Sequence, residues 1–273
     1  MGFPFAASFN TLRARRVHNT SPYALLMKEL PPGLYDNWAT SAHNEFEGIP
    51  RTPFFFARAA EGLLMFFDCV HSAGERCALP SKAADSVWHA WQSYDPVSLE
   101  AFCIRHFDQP IPHVTADEME GGMARSLAVC LVQARKLERL QLAGRSLPRL
   151  FRLDDATRMP LGHGYRMKGG LVAYGQLDRD GDWPGQRSYP ASLRPTDLLS
   201  LGLVSFADYS MITRPPAPSD YVPFVPGFFG DGGNGCVDGS GSSSCADAGA
   251  TSGASCGGGS SGASCGGGGC GGS

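Results

Sequence analysis

The side chains best able to do chemistry in this chain are gathered in Asp85-Ser-Val-Trp88-His89 and in the Cys103, His106 and His113 that come after it. An aspartate and a histidine four positions apart share one face of a helix. There the carboxylate can accept from an imidazole N–H and fix its tautomer. Cys103 and His106 share the inward face of the next amphipathic stretch, which a short turn must fold back on the first. Asp85, His89, Cys103 and His113 are thus expected to converge. All four are acceptable zinc ligands, and together they would close a structural site. A thiol nucleophile, Cys103 with a histidine base, is a second possibility. The third is packing alone: a histidine oriented by an aspartate, beside a buried Trp88 and a cysteine acting as a small hydrophobe. The close Cys-x-x-Cys or His-x-x-x-His pairs of strong metal motifs are missing, so packing is favoured. No cofactor is expected on this reading, with zinc as the alternative.

Helix-start signals set the elements that would position these groups. Ser21-Pro22 opens a helix to Leu30, and a second covers Leu34 to Glu47. Thr52-Pro53 starts a long apolar helix on which Phe56, Ala60, Leu63, Leu64, Phe67 and His71 keep helical spacing. Ser81 caps Lys82 to Ser93, and Asp95-Pro96 opens the helix that carries Cys103. The box Thr115-Ala-Asp-Glu118 begins a helix running to Ala143 and stopping at Gly144. Beyond residue 148 the period changes. Arg149–Leu153 and Leu171–Leu177 read as short strands, and His163-Gly164, Gly169-Gly170 and Asp180-Gly181 as turns. A last helix begins at Thr196. The acidic run at Asp178 lacks the glycine and glutamate positions of a calcium loop and reads as a hairpin turn. His163, flanked by glycines, is a weaker binding candidate.

The expected architecture is mainly α, an α-dominated α+β arrangement. An N-terminal arm (1–19) precedes a helical domain (20–147) and a small α+β element with a β-hairpin (148–213) packed on it. A Pro-rich linker (214–229) and a Gly/Ser/Cys-rich tail (230–273) complete the chain, the tail too poor in apolar side chains to form a core and expected to be disordered. It carries Cys236, Cys245, Cys256, Cys265 and Cys270, some of them within a nine-residue repeat. The net charge is −3, and the tail holds three acids (Asp231, Asp238, Asp247) and no base, leaving the remainder near neutral. That balance argues against nucleic-acid binding through a broad basic face. No apolar run approaches the roughly 18 residues of a membrane span, and the N-terminus has its charges in the reverse order of a secretory signal. A cytoplasmic location and free thiols are the expectation.

The segment Ala84-Asp85-Ser86-Val87-Trp88-His89, then Leu99-Glu-Ala-Phe102-Cys103 and Ile111-Pro112-His113, resembles a known signature. It is similar to the Val-Asp-x-x-Trp-His motif of the glycine-rich domain-containing proteins of plants and their bacterial relatives. In that family a Tyr-x-x-Phe-Cys stretch and a histidine follow. Here Ala84 replaces the valine, Leu99 the tyrosine, and Trp91 stands where many plant members carry a second histidine. The resemblance spans residues 20–115. It implies a helical domain of uncertain function, linked in plants to growth and stress responses, and supplies no established active site.

The expectation is therefore a non-enzymatic binding or adaptor domain, its partner a protein, with a thiol-bearing tail. One alternative is an enzyme or metal-dependent module using His89, Cys103 and His113. Another is a structural protein crosslinked through its tail. The sequence does not set an oligomeric state.

Overall fold

Helix α4 (Pro53–Ala73) is the centre of the computed structural model, and its sequence explains why. Thr52 accepts from the Phe55 amide at 3.3 Å, Pro53 fixes the first turn, and Gly74 ends the helix in a left-handed conformation (φ +64°). Thirteen of its 21 residues are buried, so it needs partners on nearly every side. These are α1 (Pro4–Thr20), α5 (Lys82–Tyr94) and α7 (Gly122–Leu137). The structure describes residues 4–114, 122–183 and 185–213. The capping box at Thr115–Glu118, the Pro-rich linker and the cysteine-bearing tail lie outside them. The chain divides into two units, Met1–Ser219 and Asp220–Ser273, and every described element belongs to the first.

Mainly α is the observed class: ten α-helices and one two-stranded antiparallel sheet among the described residues. One continuous core runs from Ala14 in α1 to Val204, so apolar packing does not stop at residue 148. Several local expectations are corrected. The N-terminal arm is a helix that buries Ala14. Ser21 takes the Tyr23 amide but starts only the short α2 (Ala24–Lys28). Helix α3 (Leu34–Ser41) gives way to a 3-10 turn at Ala42–Asn44. Helix α7 ends at Leu137 rather than Ala143. Arg139 turns left-handed (φ +54°) and the Leu140 amide reaches back to the Arg135 carbonyl at 2.8 Å. The buried guanidinium of Arg135 then donates to the carbonyls of Leu142, Gly144 and Ser146 at 2.7, 2.9 and 3.2 Å, holding the next loop against the helix end.

Arg149–Leu153 is not a strand. Arg149–Arg152 forms a 3-10 turn that runs into α8 (Leu153–Thr157), because Leu150, Phe151, Leu153 and Asp154 are buried together and alternation would expose two of them. The hairpin pairs β1 (His163–Lys168) with β2 (Leu171–Gln176), in register from His163↔Gln176 to Lys168↔Leu171. Gly169 and Gly170, at φ +58° and +82°, make its two-residue turn as composition predicts. His163-Gly164 is thus strand rather than turn. Asp178–Asp182 is a turn at the exit of β2, where Asp178 Oδ1 accepts from the amides of Asp180 and Asp182 at 2.9 and 2.8 Å. Helices α9 (Pro195–Ser200) and α10 (Phe206–Thr213) complete the described chain.

Two contacts set the start of α5, the helix that carries the site. Ser81 caps it, accepting from the Ala84 amide at 3.2 Å, and donates to Asp154 Oδ1 at 2.6 Å. Asp154, 1% exposed, also accepts from the amides of Lys82, Ala83 and His163 at 3.0, 3.0 and 2.7 Å. One carboxylate therefore joins α5, α8 and β1. Burial raises its pKa above the ordinary carboxyl value, and the hydroxyl and amides pull it part of the way back. Close approach to α4 completes the arrangement: a Cβ on Gly62 would lie 2.2 Å from Leu153 Cδ2.

Candidate functional site: a histidine–aspartate cluster beside an apolar cavity

Asp85 and His89 lie one turn apart on α5, as their spacing requires, with Asp85 Oδ1 3.6 Å from His89 Nε2. A third group joins them. His113, in the segment after α6 (Pro96–Phe107), places Nε2 3.1 Å from Asp85 Oδ1 and 3.1 Å from His89 Nε2. The three side chains are about 28–33% exposed, so the cluster sits at the surface rather than in the core. Trp88 is 4% exposed and anchors α5 against Phe66 and Phe67, while its ring meets His113 edge-on at 4.6 Å between centroids. The hydrogen bond that His113 donates to Asp85 raises the His113 pKa. Burial opposes it, and the charges of Asp85 and Glu45 add to the rise.

Cys103 does not join them. It is 1% exposed within the core, where burial pushes its thiol up to about 11 and a backbone hydrogen bond to Ile111 offsets part of the rise. A protonated, enclosed sulfur serves neither as nucleophile nor as ready ligand, and the four-ligand closed site is not formed. His106 also points elsewhere. Its Nε2 lies 2.9 Å from Glu29 Oε2, and its ring packs on Phe102. Helix α6 packs on the Trp91 side of α5 and turns Cys103 into the core, so it is the loop beyond it that brings His113 to Asp85 and His89.

The group that sequence reasoning missed is Glu45, just after the 3-10 turn that ends α3. Its Oε2 lies 2.5 Å from His89 Nδ1. Forty-four positions separate the two residues, and no local spacing announces the pair. Trp38, whose Nε1 donates to Ser86 Oγ at 3.0 Å, fixes α3 against α5.

Asp85 and His113 also border a cavity of about 280 Å³. Phe66, Val70, Leu79, Trp88 and Ile111 give it apolar walls, and Lys82 and His163 further polar groups. His163 Nδ1 lies 3.1 Å from the Tyr174 hydroxyl, and burial lowers its pKa. Its role is therefore in the cavity wall, not on an exposed loop. Cys77 borders the same cavity. Cys69, Cys77, Cys103 and Cys130 are all free and buried.

No protein-family model, no curated protein and no solved structure matches the chain. Among the described residues no helix is long and apolar enough to cross a membrane.

Proposed function

We propose that this chain is a non-enzymatic binding domain whose ligand is a small, largely apolar molecule with one polar end. The observation that carries the reading is the cavity: apolar walls from α4, α5 and the 111–114 segment, meeting the hydrogen-bonding edge of Asp85 and His113. Small-molecule sites combine a mostly apolar lining with a few placed polar groups, and a volume of about 280 Å³ lies near their lower end. The enclosure of Cys103, its thiol pushed up to about 11, speaks against the thiol route among the enzymatic alternatives.

The test is a ligand-observed NMR screen of small aromatic and aliphatic fragments against the full chain and Val70→Trp, which fills the cavity from α4. Fragments should bind the native chain and lose binding in V70W at unchanged helical content. An absence of hits, or hits indifferent to V70W, would refute the reading.

A further inference from the structure

We propose that Asp85, His89 and His113 form a mononuclear site for a divalent first-row transition ion such as zinc or iron(II), with open coordination positions beside the cavity. The donor atoms already define the triangle such an ion needs. Asp85 Oδ1, His89 Nε2 and His113 Nε2 are separated by 3.1, 3.1 and 3.6 Å. Metal–ligand bonds of about 2.0–2.1 Å place ligand atoms roughly 3.3 Å apart at tetrahedral angles and roughly 3.0 Å apart at right angles. Two of the observed edges fall between those values and the third lies slightly above them, so an ion could enter with little movement of the side chains.

The surroundings point the same way. Glu45 is an acceptor beside His89 Nδ1, so a neutral His89 ring carries its hydrogen there and presents the Nε2 lone pair to the triangle. That is the carboxylate–histidine–metal relay by which proteins orient imidazole ligands. His113 is held by Trp88 with its Nε2 toward the same point. Two imidazole nitrogens and a carboxylate oxygen thus face one another at ligand spacing, and an ion entering the triangle would displace the proton that His113 Nε2 shares with Asp85 Oδ1. Two neutral histidines and one carboxylate, the donors that the described residues supply, leave a divalent ion with a net positive charge and at least one free position. Because Asp85 and His113 border the cavity, that position is accessible to a ligand there.

The ion and the proposed organic ligand would be neighbours at one cavity, but they rest on different observations and are separable. Metal binding is measured without any organic ligand, and V70W should leave it intact. The protein for the test is the full chain with Cys236, Cys245, Cys256, Cys265 and Cys270 replaced by serine, so that tail thiols cannot imitate the site. Titration with Zn²⁺ against a chromophoric chelator should give one ion per chain. Co²⁺ should give visible d–d bands without a thiolate charge-transfer band. His89→Ala and His113→Ala should abolish stoichiometric binding. Glu45→Gln, at an exposed carboxylate that leaves the core untouched, should weaken it by about 10–100-fold. Failure to bind a stoichiometric ion, the appearance of a thiolate band, or full-strength binding in either H89A or H113A would overturn the proposal.

Discussion

Replacing Asp154 with alanine should unfold the domain more readily than any surface change, and the structure supplies the magnitude. Four donors lose their acceptor at once: the Ser81 hydroxyl and the amides of Lys82, Ala83 and His163. Hydrogen bonds to a charged group contribute about 1.5–3 kcal/mol each, but removing the carboxylate also removes a desolvation cost of several kcal/mol. The net loss expected is about 3–5 kcal/mol, the usual range for breaking a buried charged network. In a unit of this size that lowers Tm by about 6–20 °C. Asp154→Asn sharpens the test. Its oxygen can still serve Ser81 and Ala83, but its amide would then face the Lys82 and His163 N–H groups, donor against donor. D154N should therefore cost at least half as much as D154A despite its matching shape. Urea unfolding of the full chain, followed by far-UV circular dichroism, measures both. A D154A loss below about 1 kcal/mol at unchanged denaturant slope would refute the claim that this carboxylate joins α5, α8 and β1.

Packing and burial set three further outcomes. Gly62→Ala should destabilise by about 1–3 kcal/mol, because its methyl would sit 2.2 Å from Leu153 Cδ2. Leu153→Ala in the same chain should absorb part of that cost in a double-mutant cycle, and simple additivity would contradict the contact. Arg135→Lys should lose about 2–4 kcal/mol in urea unfolding, since an ammonium cannot span the carbonyls of Leu142, Gly144 and Ser146 as a guanidinium does. An R135K midpoint equal to wild type would show that the fork is dispensable. The Cys103 thiol, raised from 9.0 to about 11 in the folded state, stays protonated where the unfolded thiol has ionised. Its contribution is therefore present below pH 9 and lost as pH rises to about 11. Cys103→Ala should reduce the stability lost across that window by about 2 kcal/mol, and an unchanged pH slope would count against it.

Local chemistry is what the sequence makes legible. Thr52-Pro53, Ser81 and Asp95-Pro96 each combine a capping side chain with a helix start, and α4, α5 and α6 begin where those residues stand. The Asp85–His89 pair needs only the pitch of a helix. Legibility fails where long-range contacts decide. Arg149–Leu153 has apolar residues that fit a short strand, and only packing against α4 and α5 selects helix. The end of α7 depends on a left-handed Arg139 and a guanidinium taking carbonyls downstream, neither of which has a compositional signal. Spacing groups Cys103 with the histidines because it shares a face with His106. That face meets the core, and the rotation of α6 about its axis is set by tertiary packing.

The same distinction explains why, among the described residues, three candidate donors meet rather than the four expected. A four-residue spacing on one helix delivers two ligand atoms at a fixed separation, and the short loop beyond α6 delivers the third. Among the described residues no fourth metal-ligating group meets the three, and the inward face of α6 is committed to Leu99, Phe102, Cys103 and Phe107 in the core. Glu45 reaches the cluster from the end of α3, but it engages the far nitrogen of His89 and so orients a donor instead of adding one. Structural zinc sites close their coordination shell with protein atoms, whereas sites that act on a ligand keep a position free. With three donors among the described residues, the proposed ion would keep a free position beside the cavity, which is why an ion in the triangle and a molecule in the adjoining cavity are best sought together.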